Sequence, residues 1–150
     1  MQKMKLTFER GGELTISFNG LAPETERCIK EALPLESDLK HSRYSGREVC
    51  FGFETNKPAP KENSKSTVEK GNVVYWRDWD ATVEKSGSGS IGTEVIGLYY
   101  GHEVVQFQGN NLFANVFGQV DKNQDAMLEE IGIRIWQKGF ERVRAELIEE

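Results

Sequence analysis

Apolar and polar residues alternate along the first stretch of the chain. Met4, Leu6 and Phe8 alternate with Lys5, Thr7 and Glu9; after Gly11-Gly12, Leu14, Ile16 and Phe18 alternate with Glu13, Thr15 and Ser17. A period of two with a glycine pair between the runs predicts a half-buried antiparallel hairpin. Asn19-Gly20 ends it, and the period then changes. Pro23 suits the first position of a helix, Glu24 and Glu26 complement its positive end, and Thr25, Cys28-Ile29 and Ala32-Leu33 form the inward stripe. Pro34 stops that helix.

From Asp38 the pattern predicts a second hairpin. Leu39, His41 and Arg43 share one parity, Ser45-Gly46 turns, and Val49, Phe51 and Phe53 alternate with Glu48, Cys50 and Gly52. Residues 54–70 read as a polar loop with little to bury. Strands recur at 72–77, 94–101 and 112–117, and residues 81–93, with Ser86-Gly87-Ser88-Gly89-Ser90, read as a flexible connection. Residues 124–138 carry a helical stripe of Leu128, Ile131 and Ile135, with Met127 and Trp136 beside it. Trp136 is read as core. Gly139 fits the position just past a helix end. Beyond it, Val143, Ala145 and Leu147 alternate with Arg142, Arg144 and Glu146, which favours a closing strand over a continued helix.

No internal repeat or domain boundary interrupts these elements, so a single domain spanning residues 1–150 is expected. The formal net charge of −5 argues against a nucleic-acid backbone binder, which carries a basic stripe. No apolar span is long enough for a membrane helix, and because Met1-Gln2-Lys3-Met4 leads straight into the strand pattern, no signal segment is expected. Cys28 and Cys50 lack CxxC spacing and read as small buried hydrophobes in a reducing compartment, so the cytoplasm is expected.

Two stretches resemble the cyclophilins. Residues 13–33, Glu-Leu-Thr-Ile-Ser-Phe followed by Leu-Ala-Pro-Glu-Thr and a helix, are similar to the cyclophilin second strand and its AP-x-T helix start. Phe117-Gly118-Gln119-Val120 is similar to the VFG-x-V run before the second cyclophilin helix. The middle of the chain more closely resembles a bacterial cyclophilin-like family described only as a domain of unknown function. The matching pieces include Leu33-Pro34-Leu35-Glu36, His41-Ser42-Arg43-Tyr44-Ser45-Gly46-Arg47-Glu48, Gly71-Asn72-Val73-Val74-Tyr75, Thr93-Glu94-Val95-Ile96, Tyr100-Gly101 and Gly109-Asn110. Their shared order covers nearly the whole chain. The resemblance implies a mainly β fold: a small closed cyclophilin-like β-barrel with two helices capping the barrel ends. It also supports the closing C-terminal strand. A working prolyl isomerase of that superfamily carries F-H-R…G-F-M-x-Q-G-G-D in its peptide groove. Here the region reads Lys40-His41-Ser42-Arg43-Tyr44-Ser45-Gly46, with His41 and Arg43 but without the Gln-Gly-Gly-Asp segment, which argues against prolyl isomerase activity.

The candidate ligand-binding residues are His41, Arg43, Glu48, Trp76, Glu94, Tyr100 and Asn110. If Leu39 points inward, the alternation turns His41 and Arg43 inward too, where cations need partners or a cleft; Glu48 or Glu94 would supply the pairing carboxylate. If the parity is reversed, both face water. Arg43 would clamp a carboxylate, and Glu94 with His41 would form an acid–base pair if chemistry occurs. Glu94 reads equally as a strand-end charge. Tyr75, Trp76, Trp79, Tyr99 and Tyr100 are candidate pocket walls or plain core, and Asn110, Asn111 and Asn115 are turn residues or amide donors. Gly87-Ser88-Gly89-Ser90-Ile91-Gly92 fits GxGxxG but opens no helix in a βαβ context. Two histidines and no cysteine pair argue against a metal site, and no cofactor motif is present. The expected activity is the binding of a small carboxylate-bearing ligand or a peptide. A prolyl isomerase of altered site and a non-catalytic oligomeric scaffold, for instance a homodimer, are the alternatives.

Overall fold

A computed structural model describes residues 1–79, 94–107 and 110–150. The expected connection at 81–93, the GxGxxG match within it and Gly109 lie outside the described residues.

The first hairpin forms as the alternation requires: β1 (Gln2–Phe8) and β2 (Glu13–Phe18) pair antiparallel, with Leu6 opposite Leu14. Gly11 and Gly12 turn the chain at φ +109° and +96°, values that side chains resist. Helix α1 (Pro23–Ala32) follows, with Pro23 in its first turn and Thr25, Cys28 and Ile29 buried. Ala22 offers no side-chain cap; the Glu62 carboxylate instead accepts the Thr25 amide at 2.6 Å and places negative charge at the positive helix end. Strand β3 (Leu35–His41) begins earlier than the sequence pattern suggests, and a 3-10 turn (Arg43–Ser45) leads to β4 (Glu48–Phe53).

Two short strands, β5 (Ser64–Lys65) and β6 (Thr67–Val68), form within the stretch read as a polar loop. That stretch buries Ala59 and Val68 completely, which corrects the expectation. The rest is β7 (Asn72–Trp76), β8 (Glu94–Tyr99), β9 (Glu103–Val104), β10 (Gln106–Phe107), β11 (Asn110–Asn111), β12 (Ala114–Val120), α2 (Asp125–Lys138) and β13 (Glu141–Glu149). The C-terminus is therefore a helix followed by a strand.

Eight antiparallel strands run in the order β2-β1-β13-β3-β4-β8-β7-β12, and β12 pairs back onto β2. The sheet is a closed barrel. The pairs Gly118–Phe18, Gln119–Ser17 and Val120–Ile16 make the seam. Inward side chains such as Met4, Leu6, Ile16, Leu39, Phe51, Leu98, Phe117 and Val143 form one continuous cluster. The helices plug opposite ends. Strand β8 starts at Glu94, beside the α1 end, and leads to Tyr100, against Gly132 of α2. At the α2 end, Glu141 is almost wholly buried and receives Arg134 Nε at 2.9 Å and the Arg10 amide at 2.9 Å. No helix among the described residues is long and apolar enough to cross a membrane.

A second apolar cluster lies outside the barrel wall. Val68, Val74, Tyr99, Val105, Ala114 and Val116 form it, with Trp76 and Leu112 at its edge. The β6–β9 pair lies over this face.

The α1 end is stitched by Asn115, which is fully buried. Its Oδ1 accepts the Glu62 amide at 3.0 Å, and its Nδ2 donates to Pro60 O at 2.9 Å and to Thr25 Oγ1 at 3.0 Å. This amide serves the fold rather than a ligand. Replacing Asn115 by Ala leaves buried groups unpaired, at about 1–3 kcal/mol each. Urea unfolding should show a loss of at least about 2 kcal/mol, and a loss below about 0.5 kcal/mol would contradict this role.

Candidate functional site

The residues singled out from the sequence fall into separate places. His41 and Tyr100 meet at the α2 end, and Arg43 lies on the rim beside them. Glu94 lies at the α1 end. Glu48 and Trp76 belong to the outer wall, and Asn110 is exposed in β11. A single pocket built from all seven does not form.

Glu94 is 1% exposed and fully engaged within the protein. Its carboxylate accepts the Thr55 amide at 2.7 Å, the Thr55 hydroxyl at 2.6 Å and the Tyr75 hydroxyl at 2.6 Å. Around it, Trp79 Nε1 donates to Ala59 O at 3.0 Å, and the Tyr75 and Trp79 rings meet edge to face. This is a satisfied buried carboxylate. It cannot pair with His41 across the length of the barrel, which removes the acid–base couple expected from sequence. Burial pushes the nearby Cys28 thiol up to about 12, so it is not a nucleophile at neutral pH.

Glu48 also departs from the expected pairing. It heads β4 opposite Tyr99, on the parity that faces away from the barrel axis. His41, by contrast, shares the inward parity of Leu39. Alternation across β4 was legible, but the sequence does not reveal that the outer face is covered.

The α2 rim combines cationic, titratable and aromatic groups at a surface. His41, the last residue of β3, places Nε2 2.7 Å from the Tyr100 hydroxyl. Its ring stands edge-on to Tyr100 and to Trp136, with centroids 5.8 Å and 4.8 Å away. Arg43 lies past the strand, in the 3-10 turn, so strand alternation does not govern it. Its guanidinium carbon sits 3.8 Å from the Trp136 ring centroid, and Nη2 donates to Trp136 O at 3.1 Å. Among the described residues no carboxylate forms an ion pair with Arg43, which leaves most of its donors for a planar anion.

Trp136 is the residue sequence reasoning misplaced: it is 46% exposed and forms a wall of the rim. The signal was Gly132, a poor residue for a helix interior. It stands one turn before Trp136, and a Cβ there would run into the Tyr100 ring. That glycine lets α2 settle on Tyr100, which carries Trp136 over His41. Tyr44 and Phe140 are also exposed on the elements bordering this rim.

The electrostatics favour a neutral imidazole. Burial, helped by the positive charge of Arg43, lowers the His41 pKa from 6.5 to about 4. Nδ1 is buried and has no hydrogen-bond partner. Such a ring is a poor general base at neutral pH but a directional hydrogen-bonding group. Among the described residues no group of three or more His, Cys, Asp or Glu is placed to hold a metal. Shallow surface depressions lie along α1 and beside Arg142.

Because the folded protein holds the His41 pKa below its unfolded value, its contribution to stability is whole above pH 6.5. It is lost as the pH falls through about 4. An NMR titration of the imidazole should give a midpoint near 4. A midpoint at or above 6.5 would contradict the sheltered placement.

Comparison with known proteins agrees with the barrel. A structure of McbB in complex with tryptophan aligns with TM-score 0.67 and 16% identity, covering 95% of this chain and 44% of that one. The chain thus spans less than half of McbB. The solution structure of the hypothetical protein AF2241 from Archaeoglobus fulgidus aligns with TM-score 0.56 and 24% identity, covering 97% of this chain and 93% of that one. No curated protein matches the sequence. The profile of DUF3830, described as a protein of unknown function, matches residues 12–146, and the chain belongs to that family.

Proposed function

We propose that this cyclophilin-like barrel binds a small carboxylate-bearing ligand, an aromatic amino acid or the end of a short peptide, at the α2 rim. Arg43 grips the carboxylate, Trp136 and Tyr100 provide the aromatic wall, and His41, through Nε2, holds the Tyr100 hydroxyl in place. The observation that carries this reading is the Arg43 guanidinium, stacked 3.8 Å from the Trp136 ring centroid and paired with no carboxylate among the described residues. A guanidinium held against an aromatic ring keeps its planar fork of donors available for two-pronged recognition of a planar anion. The tryptophan held by McbB, a protein of similar fold, supports a ligand of this class. The free thiols of Cys28 and Cys50 suit a cytoplasmic setting, which we propose with it.

The test is calorimetry with L-tryptophan, other aromatic amino acids and short peptides. Arg43→Ala should weaken binding tenfold to a hundredfold, since a hydrogen bond to a charged group contributes about 1.5–3 kcal/mol. The melting temperature of the free protein should stay unchanged, because Arg43 is exposed. An unaltered affinity in a normally folded variant would remove the proposal. Turnover of prolyl peptides above background, lost in the same variant, would replace it with the altered-site isomerase.

A further inference from the structure

Glu48 is a buried acid that the α2 rim does not use. It is 7% exposed on the outer wall of the barrel. Gly97 on β8 makes room for it, since a Cβ there would run into the Glu48 carboxylate. Tyr99 faces it across the β4–β8 pair, and the Tyr99 hydroxyl is buried with no aligned hydrogen-bond partner. The segments 64–68 and 103–106 lie over this wall: Val105 N donates to Ser66 O at 2.7 Å, and Leu112 N to Val105 O at 2.8 Å.

Ser45 connects the acid to this cover. Its hydroxyl donates to Gln106 O at 2.5 Å and accepts the Gln106 amide at 3.2 Å, and it also interacts with the Glu48 carboxyl. A serine hydroxyl has one proton to donate. While Glu48 is protonated, that proton stays on Gln106 O. When Glu48 ionises and releases its proton to solvent, its carboxylate becomes the stronger acceptor and draws the Ser45 proton away.

The surrounding charges do not neutralise that carboxylate. On its own strand is Cys50, whose thiol burial holds up to about 12, with Lys40 across on β3. From β8 comes the Tyr99 phenol. From the turn comes Arg47, whose Nε is bound to Glu103 Oε2 of β9 at 2.5 Å and whose guanidinium covers Gly101. No cation pairs with Glu48 among the described residues.

We propose that Glu48 is a proton-operated latch: the neutral acid lets segments 64–68 and 103–106 close over the outer apolar cluster, and the carboxylate releases them. Burial raises the Glu48 pKa from 4.5 to about 7, against weaker opposing interactions with Ser42, Tyr99 and Ser45. The closed form is thus favoured fully below 4.5, loses that advantage as the pH rises toward 7, and has lost it above.

Amide hydrogen exchange followed by NMR at pH 6 and pH 8, corrected for intrinsic chemistry, tests the latch. Protection of Val105, Gln106 and Leu112 should fall about tenfold between the two, while Leu6 and Ile16 in the barrel stay constant. Glu48→Gln should remove the difference and stay closed at both. Ser45→Ala should leave Gln106 poorly protected at both, which keeps the idea testable if the first variant does not fold. Equal protection at pH 6 and pH 8 in the unaltered protein, or an undiminished difference in Glu48→Gln, would overturn the proposal.

Discussion

The pairing of β12 with β2 is the constraint from which the rest follows. These strands are distant in sequence, and only three residue pairs join them, but they turn an eight-stranded ribbon into a ring without free edges. Gly118 makes the approach possible: a Cβ there would press on Ser17 O and the Ile16 side chain. Around the seam, Asn19 N donates to Phe117 O at 3.0 Å, Asp121 N to Thr15 O at 2.9 Å, and Ser17 Oγ to Asp121 Oδ1 at 2.7 Å. Closure fixes the inward parity of every strand, and with it which residues reach each end.

A closed ring this narrow fills its interior with its own side chains, so polar groups sit at the ends or on the outer wall. Glu94, His41 and Glu48 are satisfied to different degrees. Glu94 receives three donors and is a structural charge. His41 spends one ring nitrogen on Tyr100 and leaves the other bare. Glu48 has hydroxyl neighbours and, among the described residues, no cation. An incompletely satisfied polar group in a rigid setting is poised to respond to a ligand or a proton, whereas a satisfied one holds the fold.

Much of the barrel was legible in the sequence because the hairpins announce themselves. The alternation from Met4 to Phe18, and that of Val143 and Ala145, placed the inward faces correctly, as did the stripe of Leu128, Ile131 and Ile135 on α2. The site was less legible, for identifiable reasons. Arg43 shares the parity of His41 on paper, but the strand ends before it, and a 3-10 turn sends it over α2. Glu48 looked like a partner for these cations because a hairpin pattern does not tell which outer faces are covered. Ala59 and Val68 lay in a stretch too polar to suggest burial, although it seals the α1 end and the outer wall. Trp136 read as core because helical spacing does not tell an inward aromatic from one lying across the rim. Only Gly132, out of place in a helix, pointed to the close contact with Tyr100.

The central claim is that the α2 rim, and not the plugged α1 end or the covered wall, receives the ligand. Amide chemical-shift mapping of the whole protein during addition of L-tryptophan tests it most directly. The account predicts saturable shifts confined to His41 through Ser45, Tyr100 and the α2 residues around Trp136. Saturable shifts centred on Thr55, Tyr75 and Glu94, or none at millimolar tryptophan and short carboxylate peptides alike, would contradict it.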